Sequence, residues 1–346
     1  MPKICPYPFS RIEYNSNYYI PCCFDWLTDE YHKLDHTNSD KWNSKAAIEL
    51  RKRILKNDYS LCKRDYCQIK LRDTDENHVR TTDCDLDKQR LDLIANGTVN
   101  FTGPTSVSIT ADRRCNLACE SCRPEKVVTL SADDKKNLEL TKQQLSKHAN
   151  TIKIIKMVGD GEVFYSPYLS KFLKQLSPAT YPSLEKVSLL TNGTLLSEAN
   201  YERHKPGINY VQEISVSIDA GNQETYDQVR GGDWQQLMKN LTFMADLRAK
   251  GIIKKLSISF VVRKKNYLTM KEFARLGLEL KTDQVIFSAF HPWHNIRDHV
   301  DYDDQAIHLE SHSEHNKLVT QINSVKKDYP NVEFKFHYTN QEALPQ

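Results

Sequence analysis

The stretch SVSITADRRCNLACESC, residues 106–122, runs from a short β-branched segment straight into a loop with three cysteines. Cys115, Cys119 and Cys122 are spaced C-x3-C-x2-C. Three thiolates leave a tetrahedral zinc site one ligand short, and structural zinc sites use paired C-x2-C knuckles. A four-iron cube held by three cysteines is different, because one iron keeps an open position that can chelate a substrate or cofactor. A loop wrapped around such a cube needs close, unequal spacings and deprotonated sulfurs in an electropositive setting. Arg113, Arg114 and Arg123 flank the thiols and suit that setting, though arginines on a solvated loop read the same way. Spacing alone also leaves open a zinc loop, or a coincidence among nine cysteines.

Downstream of about residue 104, strand-like and helix-like segments alternate. The strand expectations are 106–111, 152–158, 186–191, 213–219, 255–262 and 284–290, with a last one at 332–338. Helices are expected at 136–148, 168–176, 233–250, 267–280 and 304–326. In the second of these, Leu169, Phe172, Leu173 and Leu176 form one apolar face, ended by Pro178. Leu237, Leu241 and Met244 form the face of the third, which stops near Gly251. Repeated β/α units mean parallel strands joined by right-handed crossovers. Six such units fit either a doubly wound sheet or an incomplete barrel; the expected fold is α/β, a partial (β/α)6 TIM-like barrel preceded by a small cysteine-rich α+β domain. In such sheets chemistry gathers at the C-terminal strand ends. The polar, glycine-rich pieces fall there: the cysteine triplet, then GDGE (159–162), TNG (191–193) and SID (217–219).

Residues 1–103 read differently. Aromatic-rich strands around 8–14 and 17–21 flank an Asn15-Ser16-Asn17 turn, and 44–57 reads as a basic amphipathic helix. Aliphatic residues are sparse, so this region needs a staple, and Cys5, Cys22, Cys23, Cys62 and Cys67 are at hand. The expected organisation is 1–103 as a cysteine-rich domain, 104–300 as the barrel, and 301–346 as a helix and strand completing its side.

The 346 residues, 39% hydrophobic and 27% charged, are those of a globular chain. A net charge of only +3 gives no reason to expect nucleic acid or an anionic membrane as main partner. There is no run of 18 apolar residues and no secretory pattern at the start, so the expectation is a cytoplasmic protein. Clustered cysteines in a reducing compartment are metal ligands or redox groups more often than disulfides.

A C-x3-C-x2-C loop after the first strand of a β/α barrel resembles the radical S-adenosylmethionine (AdoMet) superfamily, over roughly residues 104–290. The resemblance implies that Cys115, Cys119 and Cys122 hold a 4Fe-4S cluster whose open iron binds the amino and carboxylate groups of AdoMet. One electron would cleave AdoMet to methionine and a 5′-deoxyadenosyl radical, which abstracts hydrogen from substrate. Gly159, Asp160, Gly161 and Glu162 resemble the family's glycine–glutamate motif, which receives the AdoMet ammonium. Asn192, Ser217 and Asp219 match positions that contact AdoMet polar groups and ribose. ETYDQVRGG (224–232) looks like a Tyr-x-x-φ-Arg-Gly stretch (φ, an apolar residue) common in members with extra clusters, and makes Arg230 a cofactor-binding candidate. One departure is Ser121, where the family places a bulky residue against the adenine; Val163 or Phe287 are the substitutes on offer.

The N-terminal cysteines resemble the SPASM and Twitch auxiliary-cluster modules, beginning with CPYPF and continuing to YYIPCC, with Asn17 in place of a glycine. The resemblance implies one auxiliary 4Fe-4S cluster on Cys5, Cys22, Cys62 and Cys67, with Cys23 a rival for Cys22. A four-thiolate zinc site fits the same residues. Cys84, between Asp83 and Asp85, reads either as an inert thiol or as a hydrogen-atom donor kept protonated by its acidic neighbours. Expected partners are a flavodoxin or ferredoxin as electron donor, and a peptide or a sugar-like small molecule as substrate. His291, Trp293, His294 and Arg297, with Lys153, Lys156 and Tyr165, are candidates to contact substrate. A non-catalytic zinc or iron–sulfur module is the alternative.

Overall fold

The computed structural model describes residues 5–63, 86–292 and 296–336. Cys67, Cys84, Trp293 and His294 lie outside the described residues, as does the end of the 332–338 strand. The chain divides into two compact units. The first comprises Met1–Asp112, Leu130–Gly159 and Ser177–Lys186; the second comprises Arg113–Thr129, Asp160–Leu176 and Val187–Gln346.

In the first unit the hairpin of β1 (Arg11–Asn15) and β2 (Tyr19–Ile20) is antiparallel, as the turn at 15–17 predicts. Residues 7–10 form a helical turn instead of the expected start of strand, with Pro6 and Pro8 favouring the turn. β1 then pairs in parallel with β3 (Ser106–Thr110), from Arg11 opposite Ser106 to Asn15 opposite Thr110. β3 pairs in parallel with β4 (Ile154–Met157). The hairpin therefore extends the sheet edge beside β3. A strand edge left bare would offer unpaired backbone groups, and the hairpin satisfies them.

The staple of the N-terminal segment includes a residue that composition does not reveal. Arg51, in the helix Lys45–Leu55, is fully buried. Its Nε donates to Pro8 O (2.7 Å), Nη2 to Trp42 O (2.8 Å), and Nη1 to Val99 O (3.0 Å) and Asn43 Oδ1 (3.2 Å). Its guanidinium also stacks 4.0 Å from the Trp42 ring centroid. Arg90 adds bonds to Phe9 O and Gly103 O.

The second unit carries β5 (Lys186–Thr191), β6 (Val211–Ser217), β7 (Lys255–Val262), β8 (Gln284–Ala289) and β9 (Glu333–Lys335). These pair in sequence order and all in parallel. Neither unit's strands close on themselves, so the fold is α/β with an open, mostly parallel sheet. Alternation sorts the faces: Ile214 and Val216 of β6, and Leu256, Ile258 and Phe260 of β7, are buried on one side. Phe260, Phe273, Phe287 and Phe334 form one aromatic cluster there, with centroids 5.1 to 5.5 Å apart.

Two helix expectations change. The 136–148 helix starts at Ala132, because Ser131 and Asp134 form a reciprocal capping box. The 304–326 helix is two pieces, Tyr302–Gln305 and His315–Asp328. His312 takes the carbonyl of Asp304 at 2.8 Å, a contact that a continuous helix would not allow.

Candidate metal centre and cofactor site

The triplet loop belongs to the second unit. Cys122 N and Arg123 N both donate to Cys119 O, at 2.8 and 3.0 Å, which folds Cys122 back beside Cys119. Cys115 N donates to Val127 O (3.0 Å) and closes the loop's base. Cys119 is buried, Cys115 partly so, and Cys122 exposed. Burial pushes the Cys119 thiol up to about 11; the Arg230 charge opposes this, while Cys122 and Cys115 reinforce it. The three sulfurs are thus within electrostatic reach of one another. Arg123 supplies the positive charge foreseen for the loop: Nε and Nη2 both lie 3.3 Å from Cys122 Sγ, Nη1 donates to Arg113 O, and Nη2 also donates to Asp160 O.

Two of the other predicted residues, Glu162 and Asn192, are tied to this loop by hydrogen bonds. Glu162 is buried, and burial raises its pKa while hydrogen bonds pull it back. Its carboxylate accepts from Thr191 Oγ1 (2.8 and 2.9 Å) and Asn192 N (2.8 Å), and its own N–H donates to Arg114 O (3.0 Å). Asn192 Nδ2 donates to Asn116 Oδ1 (2.9 Å) and stands 3.8 Å from Cys115 Sγ. The end of β5 is therefore tied to the cysteine loop. Thr191 and Asn116 are structural participants that the sequence reading missed; only their adjacency to motif residues signals them.

Asp219 sits just past β6 with φ +58°, a left-handed conformation that Asp tolerates better than most residues. Its Oδ2 accepts from Arg230 at 2.9 Å and its Oδ1 from Val261 N at 2.8 Å. Both partners of the ion pair are buried. Burial works against the Arg230 charge, but Cys119, Asp219 and Tyr226 together hold its pKa above the ordinary value. Ser217 lies on β6, its hydroxyl 3.4 Å from that of Ser259. Glu120, between Cys119 and Cys122, accepts from Arg263 (3.0 Å) and Lys265 (2.6 Å).

In the first unit, Gly159 has φ +103°, and a Cβ there would stand 2.5 Å from Thr110 Cγ2. That position needs glycine on both counts. Asp160 and Gly161 are half-buried. Phe287 is committed to the aromatic cluster described above and is not available to an adenine; Val163 is buried. Lys153 is occupied by Asp87 and Glu185, and Arg297 by Asp303.

Of the N-terminal cysteines, Cys5 and Cys22 are buried, and Cys23 and Cys62 half-buried. The segments that carry them meet. Thr28 N donates to Leu61 O and Lys63 N to Trp26 O, which brings the 22–28 and 61–63 segments together. Cys5 N donates to the Tyr59 hydroxyl at 3.2 Å, and Cys62 N to Tyr59 O. Among the described residues, no three His, Cys, Asp or Glu side chains meet at the separations that chelate a single ion.

The triplet's chemistry fits a three-cysteine iron–sulfur cluster: three thiols of graded exposure on one short loop, an arginine against the outermost, and two buried donors without protein acceptors, Tyr226 Oη and Arg230 Nε, the phenol facing the same loop across Gly232. An open, mostly parallel α/β sheet with such a loop following an early strand defines a class, and one family model matches that part of the chain. Residues 109–277 match the Radical SAM superfamily. Members of that family use a 4Fe-4S cluster and AdoMet. The chain is 28% identical over 163 residues to the antilisterial bacteriocin subtilosin biosynthesis protein AlbA of Bacillus subtilis, covering 44% of this chain and 33% of AlbA. It is 28% identical over 143 residues to a GTP 3′,8-cyclase of Rippkaea orientalis, covering 37% of this chain and 40% of the cyclase. The matches thus span well under half of these relatives' length. Among solved structures, Streptococcus suis SuiB bound to S-adenosylmethionine aligns at 15% identity and a TM-score of 0.45, covering 72% of this chain and 56% of that one. No helix among the described residues is long and apolar enough to cross a membrane.

Proposed function

We propose that the protein is a radical AdoMet enzyme that oxidises, epimerises or crosslinks a peptide or a sugar-like small molecule. The observation that carries the reading is the family match over 109–277 coinciding with the knitted site around Cys115, Cys119 and Cys122. When bound, the cluster supplies the electron that splits AdoMet and so yields the hydrogen-abstracting radical. The chain's own residues do the rest. The three cysteines hold the cluster, and Arg123 offsets the charge of Cys122. The Gly159–Glu162 segment lets backbone approach the AdoMet amino group, with Glu162 as the anionic wall behind it. Asn192, Ser217, Asp219 and Arg230 line the polar side.

In this reading residues 1–103 are a Twitch-like auxiliary module, with Cys5, Cys22 (or Cys23), Cys62 and Cys67 as ligands of a second 4Fe-4S cluster. The convergence of the Cys5, Cys22 and Cys62 segments supports it. Residues 104–300 are the catalytic partial barrel and 301–346 its flank. Cys84 is the hydrogen-atom donor to the substrate radical. The electron donor is a flavodoxin or ferredoxin, and the compartment is a reducing cytoplasm. Two relatives named for bacteriocin biosynthesis and for GTP cyclisation frame the choice between peptide and small molecule.

The test is 5′-deoxyadenosine release from AdoMet by the anaerobically reconstituted, dithionite-reduced protein. Release that disappears in the Cys115/Cys119/Cys122 triple-Ala variant supports the reading; a reconstituted protein that releases none contradicts it. Product formation that survives Cys84→Ala removes Cys84 from the chemistry.

A further inference from the structure

Tyr226 belongs to the helix Gln223–Val229 and is fully buried, yet its hydroxyl has no hydrogen-bond partner. A buried polar group without a partner is a standing cost, and a phenylalanine would fill the same volume without it. The ring is fixed by packing against Trp234, centroids 5.3 Å apart.

Gly232 shows where the hydroxyl points. A Cβ on that glycine would stand 2.7 Å from Tyr226 Oη and 3.2 Å from Leu117 Cδ2. Leu117 lies in the loop between Cys115 and Cys119. The bare glycine therefore opens the space in which the phenol meets the cysteine loop. A second unpartnered donor, the Nε–H of Arg230, is buried beside it. The electrostatics agree on the neighbour. Burial pushes the Tyr226 hydroxyl up to about 12, with Arg230 pulling it down and Cys119 and Asp219 pushing it further up. Two buried donors, Tyr226 Oη and Arg230 Nε, thus lack an acceptor in the protein, and the phenol faces the cysteine loop across Gly232.

We propose that the Tyr226 hydroxyl donates a hydrogen bond to sulfur at the Cys119 corner of the iron–sulfur cluster, and so positions and tunes that cluster. This rests on the reading that the triplet holds such a cluster. Hydrogen bonds to cluster sulfurs stabilise the more negative, reduced state and raise the reduction potential. Tyr226 is then a positioning residue acting through the cluster, and Gly232 keeps the path clear.

Tyr226→Phe removes only the oxygen. The signal to follow is the reduced-cluster EPR signal that the Cys115/Cys119/Cys122 triple-Ala variant lacks. In Tyr226→Phe its midpoint potential should move to a more negative value, while the melting temperature of the metal-free protein should stay level or rise, because no protein partner is lost. Loss of iron from Tyr226→Phe at an unchanged metal-free melting temperature reports the same bond. An unchanged potential and EPR signal overturn the proposal, as does a clear drop in metal-free stability, which would mean the hydroxyl already has a protein partner. If the wild type shows no iron–sulfur signal that depends on the triplet, the radical AdoMet reading itself fails, an outcome distinct from either.

Discussion

Asp219 shows how much one position can be asked to do. It turns the chain out of β6 in a left-handed conformation, neutralises Arg230 at 2.9 Å and caps Val261 N at 2.8 Å. Removing one member of a buried pair strands the other's charge, which costs about 3–5 kcal/mol. Asp219→Ala should therefore lower the unfolding free energy measured by urea titration by an amount of that order; a change below about 1 kcal/mol would show that water already screens the pair. His308 makes a prediction in pH. It is buried, and burial together with His291, His315 and His312 lowers its pKa to about 4 from 6.5. The unfolded chain binds this proton below pH 6.5 and the folded chain does not until about pH 4. Stability from this group is whole above pH 6.5 and declines as pH falls through that window. The stability of wild type minus that of His308→Gln should fall as pH drops from 6.5 towards 4; a difference that does not change with pH would contradict the assignment.

At the level of elements, the N-terminal segment depends on a buried arginine as well as on cysteine chemistry. Arg51→Met strands the carbonyls of Pro8, Trp42 and Val99, and at about 1 kcal/mol or more apiece the loss should exceed about 3 kcal/mol. Limited proteolysis should cut Arg51→Met first within residues 5–63, and an unchanged digestion pattern would argue that the cysteines alone hold the segment. The strands were plain in the sequence because short β-branched runs such as KVSLLT and KLSISFVV carry their own period: both occupy the residues expected, Lys186–Thr191 and Lys255–Val262. The helix at 304–326 was misjudged: the chain leaves helical geometry between Gln305 and His315, where His312 reaches the Asp304 carbonyl, a contact between residues eight apart that no local propensity encodes. The role of Arg51 was hidden for the same reason: an arginine on an amphipathic helix reads as a solvated face until its acceptors, scattered from Pro8 to Val99, are brought together.

For the whole molecule, the positions of Glu162, Asn192 and Asp219 were legible because each follows a strand, whereas Arg230, at the end of the helix Gln223–Val229, was marked only by its own short stretch. What the motifs do was less legible. Glu162 and Asp219 spend hydrogen-bonding capacity on Thr191, Asn192, Val261 and Arg230, partners that emerge only when the strands are assembled. The hairpin at 11–20 was foreseen, but not that β1 would lie parallel to β3. Hairpin signals are local, and the choice of a distant sheet edge is not.

The central claim is that the Cys115, Cys119 and Cys122 loop holds an iron–sulfur cluster, and metal analysis addresses it most directly. The protein should be reconstituted anaerobically beside its triple-Ala variant, with iron, sulfide and zinc measured in both. With the auxiliary module loaded, about eight irons per wild-type chain should fall to about four in the variant. Zinc in place of iron, or an iron content that the triple substitution leaves unchanged, would contradict the account.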